Sequence, residues 1–141
     1  MARSLSSQDW YKSKGSLSLE ATHSGDGTVQ VRYMEAQIYI SVTNLAAGET
    51  VTIKTPMDFK ILDLAIHCAT TITSRVLTLK NGSDTIEALS AVSANTLYRA
   101  DSLADYLEFE KGDDDLIIAA SGGSGDGGFF AIIPILDISK L

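Results

Sequence analysis

The glycine-rich segment near the C-terminus is the first place where residue spacing could carry chemistry. Gly123, Gly125 and Gly128 have the G-x-G-x-x-G spacing of a dinucleotide-binding turn, in which a helix N-terminus receives a pyrophosphate. That chemistry needs a helix immediately after the glycines. Here Phe129-Phe130 open an apolar, β-type run, so the sequence favours a connection between two strands over a phosphate site.

Carboxylates occur together in two turns. Asp113-Asp114-Asp115 and Asp126 could supply oxygen ligands to a hard cation such as Ca²⁺, which takes about six to eight of them. The Asp-x-Asp-x-Asp-Gly loop spacing is missing, and Gly112-Asp113 is typical of an ordinary turn before an apolar strand. A solvated acidic turn is the simpler interpretation, with a calcium site as the alternative.

Nucleophilic and titratable side chains do not form a catalytic set in the sequence. Asp63 and His67 share one face of a predicted strand, but four strand residues separate them by about 13 Å. Cys68 points to the opposite face from His67, so we predict that it fills the core. We expect no enzymatic activity, no bound metal and no cofactor.

Aromatic side chains offer binding rather than catalysis. Trp10 and Tyr11 are the only Phe, Trp or Tyr residues in the segment 1–28, which we predict to be an extended N-terminal arm because it is rich in Ser, Gly and Lys. Aromatic residues without a local core are favoured interface anchors, so these two are the predicted partner-binding residues. Their packing back onto the same domain is the alternative.

The elements that must position these residues have the alternating pattern of short β-strands. Val29–Tyr33 and Ile38–Val42 alternate in opposite parity, which predicts a bulge or turn at Met34-Glu35-Ala36. Further predicted strands are Val51–Ile53, Phe59–Cys68, Asn95–Arg99, Leu116–Ala120 and the last strand, Phe129–Ile138. The long strand Phe59–Cys68 would have Leu62, Leu64, Ile66 and Cys68 on one face, and Leu116–Ala120 would be buried on both faces. A helical turn is predicted at Asp101–Leu107. Pro134 favours an edge position or a bulge in that last strand.

Asn81-Gly82 predicts a β-hairpin, because the pair suits the positive φ angles of a type I′ turn. A two-residue loop would pair Lys80 with Ser83 and Leu77 with Ile86. That register places Leu77, Leu79, Ile86 and Ala88 on one apolar face.

Roughly eight strands with no sustained helical period predict an all-β fold, an antiparallel β-sandwich or jelly roll at residues 29–141 behind the arm. The formal net charge of −7, from eleven basic and eighteen acidic residues, comes with scattered basic residues, which disfavours nucleic acid as a partner. The single cysteine, Cys68, excludes an intrachain disulfide and favours assembly in a cytosol. The apolar runs are too short to span a membrane, so no membrane partner is expected.

Several of these segments together resemble the capsid decoration, or cement, proteins of tailed bacteriophages. The matching residues are the Pro56-x-x-Phe59-x-Ile61-x-Asp63 strand, the Leu77–Gly82 hairpin, the Arg99-Ala100-Asp101 segment, the Gly112-Asp113 turn and the apolar strand Leu116–Ala120. The resemblance extends from about Thr50 to Ile135 and leaves the arm uncovered.

The resemblance implies a non-enzymatic viral structural protein with a jelly-roll fold. Its partners would be the major capsid protein and two further copies in a homotrimer, and its location the outer surface of a phage head assembled in the host cytoplasm. A ligand-binding β-sandwich, such as a carbohydrate- or receptor-binding tail domain, is the alternative from another class. Its glycan-binding residues would be tyrosines, with Tyr33, Tyr39, Tyr98 and Tyr106 as the ones to test.

Overall fold

The computed structural model describes residues 17–68, 72–92, 96–100, 103–125 and 127–138. These residues form fifteen strands and no helix. In chain order the strands are β1 (Leu17–Leu19), β2 (Ala21–His23), β3 (Val29–Met34), β4 (Gln37–Val42), β5 (Thr50–Lys54), β6 (Phe59–Ile61), β7 (Ala65–His67), β8 (Ile72–Thr73), β9 (Arg75–Asn81), β10 (Asp84–Val92), β11 (Leu97–Arg99), β12 (Glu108–Phe109), β13 (Asp115–Ser121), β14 (Ser124–Gly125) and β15 (Phe129–Asp137).

Two antiparallel sheets contain most of these strands. The first has eight strands: β1, β3, β4 and β15 lie side by side, and the other edge of β15 pairs with β7 and then β6, which carry β11 and β12 outside them. The second has five strands in the order β10-β9-β13-β5-β2, and β8 pairs with β14 in a separate ribbon. The predicted all-β, antiparallel sandwich is confirmed. The strands outnumber the eight predicted because several consist of only two or three residues.

The core lies between the sheets because one side of the longer strands is apolar at every second residue. Ile38, Ile40 and Val42 of β4 are buried, and Leu116 and Ile118 of β13 are fully buried on the facing sheet. Phe59 and Phe109 stack in this core with ring centroids 4.8 Å apart and an interplanar angle of 10°. Ile117 and Ala119 are only half-buried, so β13 alternates and the prediction that it is buried on both faces is wrong.

The predicted break between β3 and β4 is a tight turn. Met34 pairs with Gln37, and the two residues between them have positive φ, 53° at Glu35 and 64° at Ala36. Two positive φ values in a two-residue hairpin loop define the type I′ geometry, whose twist suits an antiparallel pair. The parity shift in the sequence is therefore a hairpin turn.

The β9–β10 hairpin forms, but its turn lies one residue later than predicted, so that Lys80 pairs with Thr85 instead of Ser83. Asn81 pairs with Asp84, so the loop is Gly82-Ser83 rather than Asn81-Gly82, and only Gly82 has a positive φ, 58°. Asn81 instead uses its side chain, donating from Nδ2 to the carbonyl oxygens of Tyr106 at 3.0 Å and Glu108 at 2.9 Å.

A bulge in β10 changes which of its side chains reach the core. The pairing shifts between Thr85 and Glu87, so Ile86 is half-buried, Leu89 is buried and Ala88 is exposed. The prediction that Ala88 lies on the apolar face is wrong, whereas Leu77 and Leu79 are buried as expected.

The predicted long strand Phe59–Cys68 is two strands separated by a bulge. Residues 62–64 lie between β6 and β7, and the register with β15 shifts by one residue across them. Phe59 and Ile61 are buried before the bulge, Leu64 and Ile66 after it, and Leu62 is exposed. The predicted single face containing Leu62 is therefore wrong.

Pro134 lies opposite this bulge, in the interior of the sheet. It pairs with Gln37 of β4 on one side, and on the other its carbonyl accepts the N–H of Leu62 at 2.9 Å. Proline has no N–H to return, so a regular ladder cannot continue there. The edge position predicted for Pro134 is therefore wrong, and the irregularity lies in the facing segment between β6 and β7 instead of in β15 itself.

Of the two remaining predicted elements, the strand is present and the helical turn is not. The strand at Asn95–Arg99 is present as β11, with Asn95 outside the described residues. Residues 103–107 have no helical turn, and Tyr106 has a positive φ of 63°. The helical turn predicted for Asp101–Leu107 is wrong over its described part.

Part of the predicted arm is paired into both sheets. β1 adds to the edge of the eight-stranded sheet beside β3, and β2 adds to the edge of the five-stranded sheet beside β5. Residues 17–23 thus bridge the two layers at one side of the sandwich. Trp10 and Tyr11 lie outside the described residues.

Candidate functional site

The glycine segment connects strands, as the sequence favoured. It joins β13 through β14 to β15, and Phe129 begins a strand where a phosphate site would need a helix. A Cβ at Gly123 would lie 2.3 Å from the carbonyl oxygen of Thr73, and one at Gly127 would lie 1.9 Å from that of Leu45. Close backbone packing therefore requires these two glycines.

The acidic turn uses its carboxylates to hold its own backbone. Asp114 accepts the N–H of Glu110 at 2.9 Å, and Asp58 accepts the N–H of Lys111 at 2.8 Å. A hydrogen bond with Asp113, reinforced by the surrounding negative charges, raises the pKa of Glu110. No group of three His, Cys, Asp or Glu side chains suited to a metal ion occurs in the described ranges, and Asp126 lies outside them.

Asp63, His67 and Cys68 are not brought together. Asp63 accepts a hydrogen bond from Arg99 at 3.2 Å and one from the N–H of Leu64 at 2.8 Å. His67 is exposed. Cys68 is fully buried, which confirms its predicted place in the core, and burial raises the pKa of its thiol to about 11. A thiol so rarely ionised at neutral pH is a poor nucleophile.

Arg75 is a buried charged residue that hydrophobic patterning did not explain. Its guanidinium donates to the carbonyl oxygens of Leu45 at 2.7 Å and Gly125 at 3.2 Å, and its Nε has no hydrogen-bond partner. The side chain is 2% exposed. It therefore fastens two loops together at one end of the sandwich and presents no surface to a ligand.

The outer face of the eight-stranded sheet is the most distinctive surface of the molecule. Four successive outward residues of its central strand β15 are apolar: Phe130, Ile132, Pro134 and Leu136, here called the apolar stripe. Phe130 is 41% exposed and Leu136 45% exposed, while the alternate residues of β15 are buried in the core. A strand that is apolar on both faces is typical of a sheet covered on both sides.

Cross-strand pairing shows what surrounds the stripe. Ile132 lies between Tyr39 and Ala65, with Arg32 beyond Tyr39 and Arg99 beyond Ala65. Two strand spacings, about 10 Å, separate each arginine Cα from Ile132. The apolar row thus has an arginine on each side, of which Arg99 is ion-paired with Asp63 at 3.2 Å.

The two ends of the stripe differ. Phe130 has Ser41 and His67 as neighbours, with the exposed Leu97 beyond His67, and its ring lies 6.4 Å from that of Tyr39. At the other end Leu136 pairs with Lys60 of β6, which in turn pairs with Glu108 of β12. We call Arg32, Lys60 and Arg99 the basic rim.

A second surface feature includes Lys60 itself. Tyr106 is 53% exposed and lines a surface depression together with Lys60 and four carboxylates, Asp84, Asp105, Glu108 and Asp114. We call this the acidic depression. The side-chain amide of Asn81 donates to the main-chain carbonyl oxygen of Tyr106. This bond holds the Tyr106 backbone, whose positive φ is a strained conformation.

The four tyrosines considered for glycan binding do not share one surface. Tyr33 and Tyr98 pack against the core, and burial with the nearby charge of Asp137 raises the pKa of Tyr33. Tyr39 lies on the outer face beside the stripe, and Tyr106 lines the acidic depression.

Sequence reasoning identified β15 but not its exposed face. Phe129–Ile138 is apolar at both parities, and such a run in a two-layer sandwich leaves one side open. That continuous apolar pattern was the available indication of the stripe.

No protein-family model matches the chain, and no curated protein is significantly similar to it. No helix in the described part of the chain is long and apolar enough to cross a membrane.

Proposed function

We propose that this chain is a non-enzymatic structural protein of a bacteriophage, a capsid decoration protein that binds the major capsid protein on the outside of the head and stabilises the shell. The observation that carries the proposal is the apolar stripe. Exposed contiguous apolar surface with a polar surround is typical of a protein–protein contact. The resemblance over Thr50 to Ile135 supplies the kind of assembly.

The architecture supports a role in assembly. The described parts of the segments of the resemblance lie in the sandwich, and the chain passes repeatedly between its two sheets, for example at β4–β5 and at β12–β13. We include the jelly-roll assignment in the proposal. The net charge of −7 suits a soluble particle exterior.

A homotrimer would suit this role because several weak contacts on one particle multiply through avidity. Each copy would contribute its own capsid contact, and Trp10 and Tyr11 are the arm residues proposed to reach a neighbouring subunit or the shell. The assembled protein would reside on the outer surface of the virion after assembly in the host cytoplasm.

Binding to bare expanded heads of the cognate phage tests the proposal. The purified protein should cosediment with the heads, appear on them in electron micrographs and raise the temperature at which they open. Heads already saturated with unlabelled protein provide the control, since they should take up no labelled protein. Absence of both binding and thermal protection would refute the role.

One observation favours a ligand-binding module as a second candidate. Tyr39 and Phe130 form an aromatic pair on the outer sheet face. Ser41 and Asn44 line a surface depression next to the Phe130 ring. Exposed rings next to hydroxyl and amide groups are suited to a sugar. A glycan array separates the candidates: binding that Tyr39→Ala abolishes and Tyr106→Ala preserves would favour the module over the decoration protein.

A further inference from the structure

We propose that Asn81 is a site of spontaneous deamidation, that three hydrogen bonds of the folded chain hold the reaction in check, and that conversion of Asn81 to aspartate releases the loop around Tyr106. The inference concerns a covalent modification of the chain and does not depend on the proposed function.

The pair Asn81-Gly82 has the chemistry that this reaction needs. Asparagine is thermally labile, because the main-chain nitrogen of the following residue can attack its side-chain amide. A glycine in that place has no side chain to obstruct the attack. Of the three asparagines in the chain, Asn81 alone precedes a glycine, whereas Asn44 and Asn95 precede leucine and threonine. Asn81 is therefore the asparagine that we expect to react in the unfolded chain.

The reaction consumes only water besides the chain itself. A base removes the amide proton of Gly82, and the nitrogen forms a bond to Cγ of Asn81. The bond between Cγ and Nδ2 then breaks, Nδ2 takes up a proton, and ammonia leaves behind a cyclic imide. Addition of water to the imide gives aspartate if the new bond to the Gly82 nitrogen opens, and isoaspartate if the original main-chain bond opens. Either product lacks the Nδ2 donor.

The folded chain restrains both the nucleophile and the leaving group. The N–H of Gly82 donates to the carbonyl oxygen of Asp115 at 2.9 Å, so its proton is engaged. Nδ2 of Asn81 donates to the carbonyl oxygens of Tyr106 at 3.0 Å and Glu108 at 2.9 Å. An amide nitrogen has two protons, so these two acceptors occupy both. Attack on Cγ thus requires a local opening of the β9–β10 turn that breaks these bonds.

Conversion to aspartate reverses the role of the side chain. A carboxylate oxygen takes the place of the Nδ2 donor and faces the two carbonyl oxygens that Nδ2 had bound, where it can only accept. Asn81 also lines the acidic depression, so the new charge joins the four carboxylates already there. Like charges so close together repel one another.

The backbone at Tyr106 depends on the bond that would be lost. Its φ of 63° is costly for an aromatic residue and persists only while its surroundings hold it. We therefore expect residues 103–107 to open after conversion. Because the ammonia has left, the chain cannot return to its original state, and the modification acts as a permanent release of this loop.

Peptide mapping by mass spectrometry on the full-length protein tests the site and its protection. The protein is aged at mildly alkaline pH, once in buffer and once in enough urea to unfold it. In urea Asn81 should convert, with Asn44 and Asn95 as slower internal controls. In buffer conversion at Asn81 should be at least about tenfold slower, because three hydrogen bonds at the lower end of their usual contribution already give that ratio.

Two results of this ageing experiment would overturn the inference. Equal rates at Asn81 in buffer and in urea would show that the fold gives no protection. A rate at Asn81 in urea no faster than at the other two asparagines would remove the site.

Hydrogen exchange tests the release of the loop. In the Asn81→Asp variant, which carries the direct product, peptides covering residues 103–109 should exchange at least about fivefold faster than in the original protein, because two hydrogen bonds are lost. Peptides from β15 should be unchanged. Ser83→Ala is the matched control in the same turn and should leave both regions as they were.

The same comparison can be made without a variant. Protein aged in buffer and separated by anion exchange supplies a converted fraction that folded before it reacted, so it remains available if Asn81→Asp does not fold. Unchanged exchange at residues 103–109 in that fraction would overturn the proposed release.

Discussion

Replacing Asn81 with alanine removes the two side-chain hydrogen bonds that tie the β9–β10 turn to residues Tyr106 and Glu108. A neutral hydrogen bond contributes about 0.5–1.5 kcal/mol net, with solvent-exposed bonds near the lower end. Two such bonds make the expected loss of unfolding free energy about 1–2 kcal/mol. For a domain of this size that corresponds to a fall in Tm of about 3–8 °C.

Two further substitutions at the same position separate the tether from backbone effects. Asn81→Asp keeps the shape but replaces a donor with a carboxylate facing two carbonyl oxygens, so we expect a loss larger than that of alanine. Asn81→Gly would stabilise a turn that needed positive φ at this residue. Because Asn81 does not have a positive φ, we expect glycine to destabilise by at least as much as alanine.

Thermal and urea unfolding followed by circular dichroism measure these effects, with the urea m-value checking that the extent of unfolding is unchanged. Ser83→Ala is the control, because it alters an exposed side chain in the same loop and should change stability by less than about 0.5 kcal/mol. An Asn81→Ala protein as stable as the original, or a more stable Asn81→Gly protein, would show that the side-chain tether has no energetic role.

Three further predictions concern other parts of the sandwich. Replacing Glu35-Ala36 with Asn-Gly should raise the unfolding free energy by about 1 kcal/mol in urea titrations, because both residues of this turn have positive φ; a loss of stability would contradict the type I′ assignment. Phe109→Ala should cost about 3–5 kcal/mol in the same titrations, since the ring is fully buried and stacked on Phe59, whereas a cost below about 1 kcal/mol would mean that the site collapses. At pH 8 the Cys68 thiol should react with a disulfide reagent at least about 100-fold more slowly than a free cysteine, since its pKa is about 11 instead of 9.0. Fast labelling of the folded protein would refute its burial. Because the folded pKa of Cys68 lies above the unfolded value, its contribution to stability is present below pH 9 and is lost as the pH rises towards about 11, a slope that Cys68→Ala should reduce in unfolding measured against pH.

Local patterns in the sequence determined the fold class. Alternation at Ile38–Val42 and Val51–Ile53 specifies strands with one buried face, because side chains point to opposite sides at successive residues. The parity change before Ile38 specified a bulge or a turn for the same reason, and the structure has the turn. These properties depend only on neighbouring residues, so one chain segment contains all the information needed.

Register and exposure depended on partners distant in sequence. Asn81 suits a type I′ turn locally, but its side chain bonds to Tyr106 and Glu108, which are 25 and 27 residues away. Pro134 interrupts the ladder of a strand some 70 residues earlier in the chain, and the resulting bulge exposes Leu62. No pattern of neighbouring residues predicts the hydrogen bonds of the Asn81 side chain or the bulge that exposes Leu62.

The sequence by itself determined that β15 is apolar on both sides, and thus that something should cover each of them. Only the tertiary structure decided that the core covers Phe129, Ala131 and Ile133 while Phe130, Ile132, Pro134 and Leu136 remain on the outer face. The physical reason is that a strand's own residues fix the alternation of its two faces, whereas the layers packed against it decide which face meets the core. In the same way only pairing across five strands brought Arg32 and Arg99 to the two sides of one apolar row.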